Sequence, residues 1–107
     1  MRYLTAFLLV GFLSSYPDSA RAEILSGNEL KKTCDASDST FQDGFCFGYV
    51  AGVFENVKSK ICFPIGVSHS QAVLVVKKYL QDHPERLHQD ASGLIVAPLQ
   101  MAFPCAR

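Results

Sequence analysis

The stretch STFQDGFCFGYVAGVFENV, residues 39–57, decides the fold. Ser39 opens it and Gln42 follows three residues later, so the hydroxyl and the amide can satisfy orphan backbone donors at a helix start. Phe41, Phe45, Tyr49, Val53 and Val57 then recur every four residues, with Cys46, Val50 and Phe54 beside them. That period is helical and does not fit a strand. Because nearly every face is apolar, this segment is expected to be the central helix of an all-α domain.

Three further helices flank it. Upstream, Ser26-Gly27-Asn28-Glu29 repeats the capping pattern and predicts a short helix to about Cys34. Downstream, Ser68 and Gln71 predict a helix through Ala72, Val73, Val75, Val76, Tyr79 and Leu80, although the β-branched run at 73–76 would also suit a strand. The closing Lys77-Lys78 favours the helix. Asp82-His83-Pro84-Glu85 is expected to introduce the fourth, with Pro84 near the first helical position and His83 helping to cap a helix. Leu87, Ala91, Leu94, Ile95, Leu99 and Ala102 then follow at helical spacing, and Pro98 inside that run predicts a kink. Four helices with short links imply a small up-and-down bundle.

The chain has 107 residues with ten basic and ten acidic side chains, which bounds it to one small domain. It carries no basic cluster, so nucleic acid is excluded as a partner. Residues 1–22 read as a cleaved secretory signal: Met1-Arg2, an apolar run from Leu4 to Phe12, and Ala20-Arg21-Ala22 at the cleavage site. The apolar run is about half of the roughly 20 residues that cross a bilayer, so no membrane anchor is expected after cleavage. Residues 23–107 would form the working, exported domain, with eight basic and nine acidic residues.

An exported domain of this size commonly needs covalent staples, and four cysteines allow two disulfides. In an up-and-down bundle the end of the first helix lies near the start of the second, and the exits of the second and fourth helices share one end. Among the three possible connectivities this favours Cys34 with Cys46 and Cys62 with Cys105. Intervals of eleven, fifteen and forty-two residues between successive cysteines contain no CxxC pair, so neither a zinc site nor a redox motif is indicated.

Catalytic constellations are thin. His69, His83 and His88 form no metal-binding pair, the carboxylates are scattered, and no nucleophile motif or phosphate loop occurs. No enzyme activity, cofactor or metal is therefore expected. Gly44, Gly48 and Gly52 share one face of the central helix, where each costs about 1 kcal/mol relative to Ala. Something is expected to approach that face closely, either another helix of the chain or, from outside it, a homodimer partner or a partner helix. Phe63-Pro64-Ile65-Gly66-Val67 is a stiff apolar loop, suited either to docking on a partner or to covering the end of the core.

Phe47-Gly48-Tyr49-Val50-Ala51-Gly52-Val53, Cys62-Phe63-Pro64 with Gly66-Val67, Gln71-Ala72-Val73 with Val75-Val76-Lys77-Lys78-Tyr79-Leu80, His83-Pro84-Glu85 and Ala102-Phe103-Pro104-Cys105 occur in this order. Together they resemble the Rap/Tai family of periplasmic immunity proteins. The resemblance implies a helical, disulfide-containing protein that binds a type VI secretion effector, a peptidoglycan amidase, and blocks its cleft. Phe63, Pro64, Ile65, Gly66 and Val67 would supply apolar contact, with Glu85, Arg86 and His88 as a polar rim. A periplasmic helper or chaperone-like binding protein without a cognate toxin is the alternative.

Overall fold

The computed structural model describes residues 25–36 and 39–105. The expected signal segment, residues 1–22, lies outside the described residues. Four α-helices form: α1 Gly27–Asp35, α2 Thr40–Val57, α3 His69–Asp82 and α4 Ala91–Ala102. The architecture is the expected all-α one, and no strand occurs among the described residues. None of the described helices is long and apolar enough to cross a membrane.

The serine caps form as the sequence predicts. Ser26, Ser39 and Ser68 accept hydrogen bonds from the backbone N–H groups of Glu29, Gln42 and Gln71, at 3.3, 3.3 and 3.1 Å. At the other end of α3, the His83 backbone N–H and ring Nδ1 both donate to the Tyr79 carbonyl at 3.0 Å, and the two rings stack at 4.1 Å. The β-branched run 73–76 is helical: Val76 is buried and Leu74 exposed, the separation of faces that a helix imposes.

The start of the fourth helix differs from the expectation. Pro84–Arg86 forms a separate 3₁₀ turn, and α4 begins only after Asp90, whose carboxylate caps the Ser92 N–H at 3.2 Å. The cause is tertiary. The Gln89 and Leu87 carbonyls accept hydrogen bonds from Gly27 and Asn28 at the start of α1, and Ala91 donates to Leu25, each at 2.8 Å. Backbone groups committed to another segment cannot also propagate a helix. Pro98 is buried within α4 without ending the helix, which closes with the Phe103 N–H on the Leu99 carbonyl.

The end of α2 meets the start of α3 at Glu55 and His69, the segment before α3 is bonded to the end of α4 through Cys62–Cys105, and α1 begins beside the start of α4. The core is one cluster in which Leu30, Val50, Ala72, Val76, Ile95 and Leu99 are completely buried. Both expected disulfides are present: Cys34–Cys46 joins α1 to the second turn of α2, and Cys62–Cys105 joins the segment before α3 to the end of α4. Loop-closure arithmetic assigns about 3 kcal/mol to the first and about 4 kcal/mol to the second.

Although α2 touches each of the other helices, it buries only Cys46, Val50 and Phe54. Its outer face is exposed, while its contacts with every other helix give it the central place expected. The glycine that is closely approached is instead Gly27, where an added Cβ would lie 2.3 Å from Leu94 Cδ1 and 3.0 Å from the Leu87 carbonyl oxygen. Leu94 can rotate but the backbone carbonyl cannot. Gly27→Ala is therefore expected to lower the unfolding free energy by about 1–3 kcal/mol in a urea titration.

Candidate functional site

The segment between α2 and α3 projects the most exposed large apolar side chain among the described residues. Ile61 is buried and anchors its base, Phe63 and Val67 are half-buried, and Pro64, Ile65 and Gly66 are exposed, with Ile65 carrying its full solvent exposure. The Val67 N–H donates to the Pro64 carbonyl at 3.3 Å, closing a four-residue turn. Gly66, at its third position, has φ of 99°, a conformation that side-chain-bearing residues rarely adopt. The turn thereby fixes the direction in which Ile65 points.

Of the two readings of this loop, covering the end of the core is met by one residue. Phe63 folds back over the core: its ring stacks on Phe54 at 4.3 Å and meets Phe103 at 5.1 Å. Ile65 does the opposite and covers nothing. The Cys62–Cys105 bond adds a covalent brace at the base, one residue from Phe63 on one side and two from Phe103 on the other.

A polar cluster borders the loop. His69 Nε2 lies 2.8 Å from Glu55 Oε1, and Lys58 Nζ lies 2.6 Å from Glu55 Oε2. The His69 ring stands edge-on to Phe54 at 5.0 Å, so the aromatic stack and the ion cluster share a side chain. Hydrogen bonds from Lys58 and then His69 hold the Glu55 carboxyl below its usual range. Any stability from this exposed group is present at neutral pH and disappears as the pH falls through that lowered pKa. Sequence inspection missed the trio, since Glu55 and His69 are fourteen residues apart. The antiparallel pairing of the second and third helices was the available signal.

Glu85, Arg86 and His88, the expected polar rim, lie elsewhere. All three are exposed on the turn after α3, at the opposite end of that helix from the loop. Fourteen helical residues separate the two ends by about 21 Å. The structure therefore does not bring them to the loop, and the backbone around them serves to hold α1.

The Gly44, Gly48 and Gly52 row is exposed, and an added Cβ at any of the three meets no atom within 4 Å. Close packing inside the chain, one of the two expectations for this face, is thus absent among the described residues. Helical geometry sets the glycine row between a row of Phe41, Phe45 and Tyr49 and a row of Phe47 and Ala51. Phe41 is 79% exposed, and Phe45 stacks on Tyr49 at 6.0 Å. Partial burial, and secondarily the charge of Asp90, raises the Tyr49 phenol pKa. Shallow grooves of about 390 and 300 Å³ lie on either side of this face, one reaching Val73 and Lys77 of α3 and the other Glu29 and Lys32 of α1.

Among the described residues no group of three or more His, Cys, Asp or Glu side chains could hold a metal ion. The geometry offers a braced apolar projection and a bare helix face, both suited to contact with another macromolecule. Phe63→Ala is expected to cost about 1–3 kcal/mol of stability, because it empties the stack. By contrast, Ile65→Ala should change stability by no more than about 0.5 kcal/mol, since its side chain touches only water. Thermal or urea unfolding of the two variants measures the contrast.

A comparison with known families finds that the model of the Rap1a immunity proteins matches residues 26–105. A comparison with curated protein sequences finds no match.

Proposed function

The chain belongs to the Rap1a immunity protein family, and from that premise we propose that it is a periplasmic immunity protein that neutralises a type VI-secreted peptidoglycan amidase by inserting the 63–67 loop into the active-site cleft. An immunity protein acts on a partner effector protein. The choice of cleft occlusion, and of this loop as the occluding element, is ours. The observation that carries it is Ile65: a fully exposed aliphatic side chain held in one direction by a disulfide, an aromatic stack and a positive-φ glycine.

Such a loop has lost most of its conformational freedom before it meets a partner, so little ordering cost opposes docking. Ile65 and Pro64 supply a dry contact that excludes water and substrate, and His69, Glu55 and Lys58 offer polar partners at its edge. The proposed mechanism needs no catalysis by the immunity protein. Two disulfides fit an oxidising compartment, in keeping with export by the expected 1–22 signal.

The test titrates the purified protein into peptidoglycan cleavage by the amidase effector encoded beside its gene. Wild-type protein is expected to abolish cleavage near equimolar ratio. Ile65→Glu, which keeps the fold, should require at least about 30-fold more protein, the signature of a lost central contact worth about 2 kcal/mol. Undiminished hydrolysis by every candidate amidase under excess wild-type protein overturns the proposal and favours the helper reading.

The bare face of α2 supports a second element of the proposal, a homodimer. Its glycine row is a shallow groove and the neighbouring Phe41 and Phe45 row is a ridge, so two copies can set ridge into groove about a two-fold axis. Light scattering is expected to give twice the monomer mass for wild type and the monomer mass for Gly48→Leu. A wild-type monomer at all concentrations removes this element and leaves the loop mechanism untouched.

A further inference from the structure

The two disulfides differ in one chemical respect. Cys34 and Cys46 are each 3% exposed and sit in the core cluster, whereas Cys62 and Cys105 are both exposed. Thiol–disulfide exchange requires a thiolate to reach one sulfur of the bond, so exposure decides which bridge reacts first. We infer that Cys62–Cys105 is a reductant-accessible clamp that controls the rigidity of the 62–67 loop, while Cys34–Cys46 remains closed as scaffold. Its regulatory meaning rests on the reading of that loop as the partner contact.

The reaction needs a dithiol as co-reactant. One of its thiolates attacks a sulfur of the bridge, forms a mixed disulfide and expels the other cysteine as a thiolate, which takes up a proton. The second thiol of the reductant, after losing its proton, displaces the remaining cysteine. The dithiol leaves as a disulfide, having transferred two electrons and two protons, and Cys62 and Cys105 become thiols.

Opening the bond removes the disulfide cross-link between the loop base and the end of α4. Phe103, two residues before Cys105, is then free to leave Phe63, while the Phe54 contact and the buried Ile61 persist. The helical core keeps its own packing. The loop alone gains freedom, and any partner must then order it again on binding. Selective reduction thus converts a preorganised contact into a costly one without unfolding the domain.

Graded dithiothreitol treatment of the folded wild-type protein, quenched with N-ethylmaleimide and mapped by peptide mass spectrometry, tests this. A range of reductant concentration is expected in which Cys62 and Cys105 carry the alkyl group and Cys34–Cys46 stays intact. In that state amide exchange across residues 62–67 should quicken about tenfold, with the peptides around Val50 and Val76 unchanged. Simultaneous alkylation of all four cysteines, earlier opening of Cys34–Cys46, or unchanged loop exchange overturns the inference. The double variant Cys62→Ser, Cys105→Ser should reproduce the loosened loop; should it fail to fold, the wild-type titration still decides. Neither readout uses an amidase, so failure of the inhibitor reading shows separately, in the cleavage assay.

Discussion

The stack of Phe54, Phe63 and Phe103, bound in place by Cys62–Cys105, is the constraint on which the working end of this molecule depends. It joins the end of α2, the start of the loop and the end of α4 at one point, where no helix could continue to supply backbone hydrogen bonds. Aromatic rings bury large apolar area per residue, and the disulfide lowers the entropy of the unfolded chain by closing a loop with a sequence separation of 43. The covalent and the hydrophobic contributions fall on the same few residues. Ile65 can therefore stand fully in solvent and still hold a direction.

The opposite end is organised by backbone pairing. Leu25 to Asn28 and Leu87 to Ala91 exchange hydrogen bonds, and Gly27 lets the two segments meet at van der Waals distance from Leu94. This arrangement explains why α1 starts beside α4 and why Glu85, Arg86 and His88 are surface residues of a structural turn. Between the two ends, α2 presents an uncovered apolar face. Exposed aromatic side chains beside three glycines are costly in an isolated monomer, both for the water they order and for the backbone entropy lost. Among the described residues this face is left exposed.

Much of this was legible from residue order. The Ser26, Ser39 and Ser68 caps were readable because capping is local, requiring only a hydroxyl and an amide three residues apart. The disulfide pairing followed from helix direction, and the folding of Phe63 over the core was one of the two readings that the composition of 63–67 allowed. The beginning of α4 was not readable: Leu87 and Ala91 have helical spacing, but the carbonyls of Leu87 and Gln89 are used by α1, which the local sequence does not encode. The His69, Glu55 and Lys58 cluster was missed for the same reason, since two of its members meet only when α2 and α3 pack antiparallel.

The sequence by itself determined that four segments are helical, where three of them start, and that the cysteines staple them. Those properties depend on neighbours within about one turn, or on covalent bonds whose options are few. Tertiary structure alone decided which apolar residues are core and which are surface. Phe54 and Phe41 are both aromatic and share one helix, yet one is buried and the other bare. The helix's own period puts them on different faces, but only the packing of α1, α3 and α4 decides which face is covered. The separation of the loop from the 84–88 turn by the length of α3 is likewise a property of the assembled bundle, and it confines the proposed contact to one end of the molecule.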